Sequence, residues 1–426
     1  MKKNERLLQQ LGDVNDKFIA EANPKPKKSR IKWAVIGAMG TAAAGVIIWQ
    51  GVKNIPDKKS EKSVSETKKY GEIIEFPENT GELEIIRTTD PGGGGMGFEG
   101  FMAYDVSTLL DGNPSRENCN FTELPVFIRP DHENYSKDTN VYSIEEMDER
   151  LRDIASQLTD EEYIKGYANK HGYNLSATAG DIELKMESSG KIGIEFATAI
   201  DIPDEFGIYT IKNADKSQIS SSLEYLGEKY GSIFGFYAPV PSIRIEYDIY
   251  NNCMASCHLY EDSDDPLTSL MNYSFRYLGF RGEEIPIDNS DKYTNPYDAY
   301  EYPGDLKNIS YFDDFSYLEF TGMYPIISYD EAYNKLISGD YYTTVWDEHY
   351  LPDGINTDEI TFTGISYNRT NDYKYTLPYY RFLIELHPER TGDMKLADGM
   401  REFGAYYVPA VSPDYLVIEN MDVAFN

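Results

Sequence analysis

Three cysteines in 426 residues exclude a disulfide-held scaffold, and a chain this long buries enough core to need none. Cys119 stands apart, while Cys253 and Cys257 share the stretch Cys253-Met-Ala-Ser-Cys257, which either closes a local disulfide or lies reduced. On one continuous strand the two thiols would be about 13 Å apart, beyond bonding reach. No second ligand pair follows them, so zinc is not expected. Histidine is as scarce, with five residues, at 132, 171, 258, 349 and 387. None forms H-E-x-x-H or a pair at helical ligand spacing. Gly364-Ile-Ser366-Tyr-Asn368 lacks the closing glycine of a nucleophile elbow. Ser188-Ser-Gly-Lys191 matches S-x-x-K in letters but sits in an expected hairpin turn, whereas that motif's nucleophile begins a helix. The glycines at 91–95 are followed by no Lys-Ser/Thr pair, which leaves a flexible turn rather than a phosphate loop. The sequence therefore assigns no catalytic residue, no metal ligand and no cofactor, and the protein is expected not to be an enzyme.

Positive charge is missing from most of the chain. Residues 1–70 hold 15 Lys+Arg against 7 Asp+Glu, whereas residues 71–426 hold 25 against 65, a net of −40. Such a body repels phosphate backbones, so nucleic acid is not an expected partner. The acidic clusters at 261–265 (EDSDD) and at Asp313-Asp314 have calcium-type ligands, but with so many carboxylates solvated loops are the better expectation. Tyrosine is abundant, at 36 residues. The stretches NPYDAYEYPG, KYTLPYYRF and GAYYVPAV read as stacking platforms for sugars or peptides, or, preferably, as strands packing one face with hydroxyls at the rim.

One long apolar run is present. Between Lys32 and Lys53 lie 20 uncharged residues bracketed by Trp33 and Trp49, and as a helix they span about 30 Å, the thickness of a bilayer core. Ala42-Ala43-Ala44 offers an A-x-A cleavage site. The apolar run continues beyond it in VIIW, and the region in front is long for a signal peptide. An uncleaved transmembrane helix at 31–52 is the expectation, with the short basic head at 1–30 in the cytoplasm and the bulk of the chain extracytoplasmic. Gly37, Thr41 and Gly45 carry small-xxx-small spacing, which permits close helix packing. In the head, Leu7, Leu8, Leu11, Val14, Phe18 and Ile19 form a helical stripe that some twenty residues cannot bury alone. The stripe docks on a cytoplasmic protein partner or lies on the inner leaflet.

Beyond a polar stalk at 53–95, three helices are expected. A capping box at Ser143-Ile-Glu-Glu146 opens IEEMDERLRDIASQL. KSQISSSLEYLGEKYG closes on Gly231, and Ser328-Tyr-Asp-Glu331 opens a helix with Gly339 as its C-cap. Strand runs follow each: IELKMESSGKIGIEFATAI with a Ser-Ser-Gly turn; SIRIEYDIY and SLMNYSFRYLGF, the latter because Met271, Tyr273, Phe275 and Tyr277 alternate; then EITFTGISY, LPYYRFLIEL and FGAYYVPAV. This is an α+β pattern, divided into helix-plus-meander modules at 96–210, 211–322 and 323–426.

YPIISYDEAYNKLISGDYYTT, followed by a strand and LPYYRFLIEL, resembles PepSY-like and cystatin-like modules of extracytoplasmic regulators anchored by one helix in Gram-positive cells. FEGFMAYDVSTLLDGNP and FGAYYVPAV are similar to a family of clostridial single-pass membrane proteins. That family's heads read LLxxLGxIDDxLIxEA; here LLQQLGDVNDKFIAEA departs at Val14, Asn15 and Lys17. The resemblance implies an anti-sigma-like head, and hence a membrane-anchored regulator or sensor whose head holds a sigma factor. A tethered module binding wall sugar or a surface protein is the alternative, and neither reading names the outer ligand.

Overall fold

The computed structural model describes most of residues 79–421, apart from 89–100, 130–140, 207–215, 287–299, 387–399 and several shorter stretches. The head stripe, the expected transmembrane helix, the glycines at 91–95, Cys119 and the histidines at 132, 171, 349 and 387 lie outside the described residues. Among the described residues, no helix is long and apolar enough to cross a membrane.

The fold is α+β and dominated by strands. In chain order these are β1 (Leu83–Thr88), β2 (Phe101–Asp105), β3 (Glu123–Ile128), β4 (Tyr163–Ala168), β5 (Asn174–Ala179), β6 (Ile182–Glu187), β7 (Ile192–Ile200), β8 (Pro239–Tyr247) and β9 (Cys253–Glu261). Then come β10 (Arg276–Gly282), β11 (Ile285–Pro286), β12 (Tyr300–Glu301), β13 (Leu306–Asp313), β14 (Glu319–Pro325), β15 (Ile360–Arg369), β16 (Tyr375–Glu385), β17 (Met400–Pro409) and β18 (Leu416–Met421). Among the described residues four α-helices accompany them: α1 (Ile144–Leu158), α2 (Lys216–Tyr230), α3 (Pro266–Phe275) and α4 (Tyr329–Ile337).

Fourteen strands share one sheet, in the order β14-β3-β16-β17-β2-β8-β9-β10-β13-β7-β6-β5-β4, with β15 on β16. The expected modules are thus interleaved: β2 and β3, from the first range, pair with strands of the second and third, and residues 67–426 form one unit. The expected stalk also ends early. Its residues 83–88 are β1, which pairs in parallel with β18 and buries Leu83 and Ile85.

Local chemistry explains the helices. Ser143 Oγ accepts from the Glu146 N–H while Glu146 accepts from the Ser143 N–H, completing the box that opens α1. Ser328 Oγ accepts from the Glu331 N–H at the start of α4, and Gly339 follows its C-cap at φ +86°, where the Asp340 N–H returns to the Lys335 carbonyl. Gly231 does not end its helix in a left-handed turn. The chain runs on as a 3₁₀ turn to Phe234, and Gly235 takes the left-handed position. Residues 269–275, expected to begin a strand, lie in α3 instead. Asp265 caps it, Pro266 supplies a preset first turn, and the alternation seen in sequence coincides with the helical set Leu270, Met271, Phe275.

The sheet divides into two halves by what covers it. Across β8 to β4, α1 (Met147, Leu151, Ile154) and α2 (Ile219, Leu223, Leu226) pack on Leu184, Ile192, Ile194, Leu259, Leu278 and Tyr311. Gly227 lets α2 approach β9, since a Cβ there would lie 2.7 Å from Leu259 Cδ1. Across β14 to β2, α3 and α4 cover one face through Phe275, Ala332 and Leu336, against Phe127, Phe382 and Tyr406. The opposite face of this half carries Tyr379, Leu383 and Tyr407, covered by Leu83 and Ile85 of β1 with help from Leu416 of β18. Between the two cores, where Tyr311 belongs to one and Phe315 to the other, Arg276 Nε donates to Asp313 Oδ1 at 3.1 Å, with both side chains buried. The same carboxylate accepts from the Tyr311 hydroxyl and from the Ser316 N–H and hydroxyl.

Candidate functional site

The half from β8 to β4 has helices on one face only, and its other face bears no buried apolar cluster among the described residues. Cross-strand partners share a face, so the registers lay out its surface. One row runs Ser242, His258, Gly279, Ser310, Gly193, Lys185 across β8, β9, β10, β13, β7 and β6, with Ser242 at its β8 end buried beside Gly112. Two residues away on one side stand Tyr277 and Phe312, and on the other Arg281, Asn308 and Glu195.

The rings form a ridge. Tyr277 and Phe312 stack at 4.2 Å with an 18° interplanar angle, His258 lies 4.8 Å from Tyr277, and Lys191 Nζ sits 4.6 Å over Phe312. Each face of the two central rings is thereby taken by a neighbour, so the ridge offers edges and a phenol rather than flat stacking faces. Beside it the strip is bare main chain. Nothing lies within 4 Å of a Cβ placed on Gly193, and Gly279 would meet only the Ser310 carbonyl, at 3.9 Å.

Electrostatics keep the central groups neutral. Burial, with the Arg244 charge adding to it, pushes the half-buried His258 down to about 4. Burial and the Asp314 charge push Tyr277 up to about 12, against a weaker pull from Arg281. Asp314 is itself pushed up by close packing although its side chain reaches solvent, while Arg369 and Arg129 pull it down. A neutral imidazole, a phenol donor, serine and asparagine side chains and an exposed guanidinium suit hydrogen-bonded recognition across an open strip.

The remaining chemistry-bearing groups flagged by sequence have structural duties. In the 261–265 cluster, Glu261 is buried and accepts from the Tyr237 and Ala238 N–H groups, Asp262 accepts from Ser269, and Asp265 caps α3. The expectation of solvated loops holds for Asp262, Asp264 and Asp314, which are exposed, and is corrected at Glu261 and Asp313, which are buried. Ser188 and Lys191 sit in the β6–β7 turn, where Gly190 has φ +107°. Gly364 marks a bulge in β15 rather than an elbow. Cys253 and Cys257 lie on the single strand β9, and Cys257 is in no disulfide. Tyr379, Tyr380, Tyr406 and Tyr407 are buried on both faces of β16 and β17, neither as platforms nor with hydroxyls at a rim; the Tyr380 hydroxyl donates to the Ile327 carbonyl at 2.6 Å. Among the described residues, no three His, Cys, Asp or Glu side chains gather as a metal site.

Sequence reasoning did not single out His258, Gly279, Phe312 or Gly193. Period-2 reading of RYLGFRG puts Tyr277, Gly279 and Arg281 on one face, but the pairing that brings Phe312 and His258 beside them has no sequence signal. Comparison with protein-family models, curated proteins and solved structures returned no match.

Proposed function

We propose that this chain is a membrane-anchored, extracytoplasmic sensor without catalytic activity, whose open sheet face receives the outer ligand and whose cytoplasmic head holds a protein partner such as a sigma factor. The helix-backed groups of strands are read as PepSY-like, cystatin-like modules fused into one sheet. The observation that carries the proposal is the uneven coverage of that sheet: a polar strip is left open on one half, while the flagged carboxylates are engaged as caps and ion pairs. The apolar stripe Leu7, Leu8, Leu11, Val14, Phe18, Ile19 supports the inner half of the reading, because it needs an external surface to bury it.

Affinity capture from host lysate with residues 1–30 tests it, with a Leu8→Asp/Leu11→Asp/Phe18→Asp peptide as control. One specific cytoplasmic protein, lost in the control, is expected. Partition of the peptide onto anionic vesicles with no protein recovered would overturn the regulatory half. The open strip itself favours the second reading, a tethered surface-binding module. In that case wall fragments or a surface protein raise the melting temperature of the full chain, and Tyr277→Ala/Arg281→Ala removes the rise.

A further inference from the structure

We propose that two copies of this chain pair antiparallel through the outer edge of β4, joining their sheets across a twofold axis. β4 ends the strand order and pairs only with β5 among the described residues, so its other edge presents main-chain donors and acceptors. The strand is held firmly from the helix side. The Tyr163 hydroxyl donates to Asp148 Oδ1 of α1 at 2.8 Å, Lys165 Nζ lies 3.5 Å from the same carboxylate, and the Arg152 guanidinium covers the Tyr163 ring. Lys165, the residue that would ordinarily guard an edge, is thus drawn back onto α1.

What remains outside is apolar and self-complementary. Ile164 is 59% exposed and Tyr167 70%, the largest exposures among the large apolar side chains described on the sheet's strands. Ile164 pairs with Thr178, which places it on the face away from the helices. The two-for-one bulge opposite Ser176 keeps Tyr167 outside as well, and Ala168 returns to the helix side opposite Leu175. Consider the antiparallel register centred between Lys165 and Gly166. Ile164 then meets the partner's Tyr167 and Tyr167 the partner's Ile164, while Tyr163 meets the partner's Ala168. The two uncovered apolar side chains therefore cover each other. A twofold axis normal to the sheet keeps both open strips on one side of the pair. If the chain is anchored as proposed above, confinement to one membrane raises the effective concentration of such a small contact.

The test uses the full chain in detergent. Sedimentation should give a dimer, and Ile164→Glu/Tyr167→Glu, which changes only exposed positions, should weaken it at least about tenfold, or by about 1.4 kcal/mol. Two differently tagged chains, one Ile164→Cys and one Tyr167→Cys, should form a disulfide-linked heterodimer under mild oxidant when mixed, and neither should do so alone. A chain that stays monomeric at all concentrations overturns the proposal. So does a dimer indifferent to the glutamates, which would place the contact elsewhere, such as in the small-residue run at 37–45. A disulfide-linked homodimer formed by Ile164→Cys chains alone in equal yield would overturn the register.

Discussion

The two halves of the sheet solve the same burial problem in different ways. β16 is buried along nearly its whole length, because α3 and α4 lie on one face and the β1–β18 pair on the other. β5, β6 and β7 alternate buried and open positions, because only α1 and α2 cover them. The closed half fills both sides with large rings, of which Tyr104, Tyr324, Tyr379, Tyr380, Tyr406 and Tyr407 are fully enclosed. The open half keeps glycines, serines and charges on its bare side. An antiparallel sheet tolerates this, since one face packs and the other is solvated. The difference separates a framework from a presenting surface.

Substitutions sharpen that division. The largest effect is expected at the seam: Asp313→Ala leaves the Arg276 guanidinium buried without its carboxylate and should lower unfolding free energy by about 3–5 kcal/mol in urea titrations. Replacing both partners, as Arg276→Met/Asp313→Leu, should recover much of that loss. Phe382→Ala in the closed half should cost about 3–5 kcal/mol, whereas Arg281→Ala on the open face should stay within about 0.5 kcal/mol. A large loss at Arg281 would mean the face is covered after all. Gly364→Ala should cost about 2–4 kcal/mol. It forces a side chain at φ +110° and sets a Cβ 2.6 Å from Asn113 Cγ. Asn113 with Ser115 clasps β15 through the Ile365 carbonyl and N–H, so the strain also reaches that clasp.

Smaller effects follow at the helices and in pH. Ser143→Ala removes the cap of α1 and should cost about 1 kcal/mol, read as a lower melting temperature. His258 is neutral in the fold down to about 4, while an unfolded histidine titrates near its ordinary value of about 6.5. Between those values the unfolded chain binds the extra proton, so His258 withdraws stability as pH falls from about 6.5 toward about 4. His258→Gln should therefore lose less stability than the native chain between pH 7.5 and 4.5. Equal losses would show that His258 is solvated and the ridge open.

How much of this was legible depended on how many faces each element buries. α1 and α4 announced themselves through Ser143-x-x-Glu146 and Ser328-x-x-Glu331, because capping is chemistry between neighbours in sequence. The hairpin of β6 and β7 was readable from its period of two and its Ser-Ser-Gly turn. β16 was recognised as a strand, but its tyrosines were assigned a rim they do not have. A strand covered on both sides shows no alternation from which to tell its faces. α3 was lost for a related reason: Met271, Tyr273, Phe275 and Tyr277 alternate in letters, but the cap at Asp265 and Pro266 starts a helix, and only Tyr277 belongs to the strand beyond. The ridge of His258, Tyr277 and Phe312 comes from three strands well separated in sequence, and their adjacency is a product of the fold alone.

The parallel pairing of β1 with β18 carries a consequence for biosynthesis. The first described strand of the body finds its partner only in residues 416–421, more than three hundred residues further along the chain. During synthesis Leu83 and Ile85 have no strand partner for more than three hundred residues, and β2 can meet β8 first but waits far longer for β17. The closed half therefore cannot assemble progressively behind the ribosome, and it closes only once residues 416–421 have emerged. Removing Leu416–Met421 would then act more than three hundred residues away, by leaving β1 without its mate.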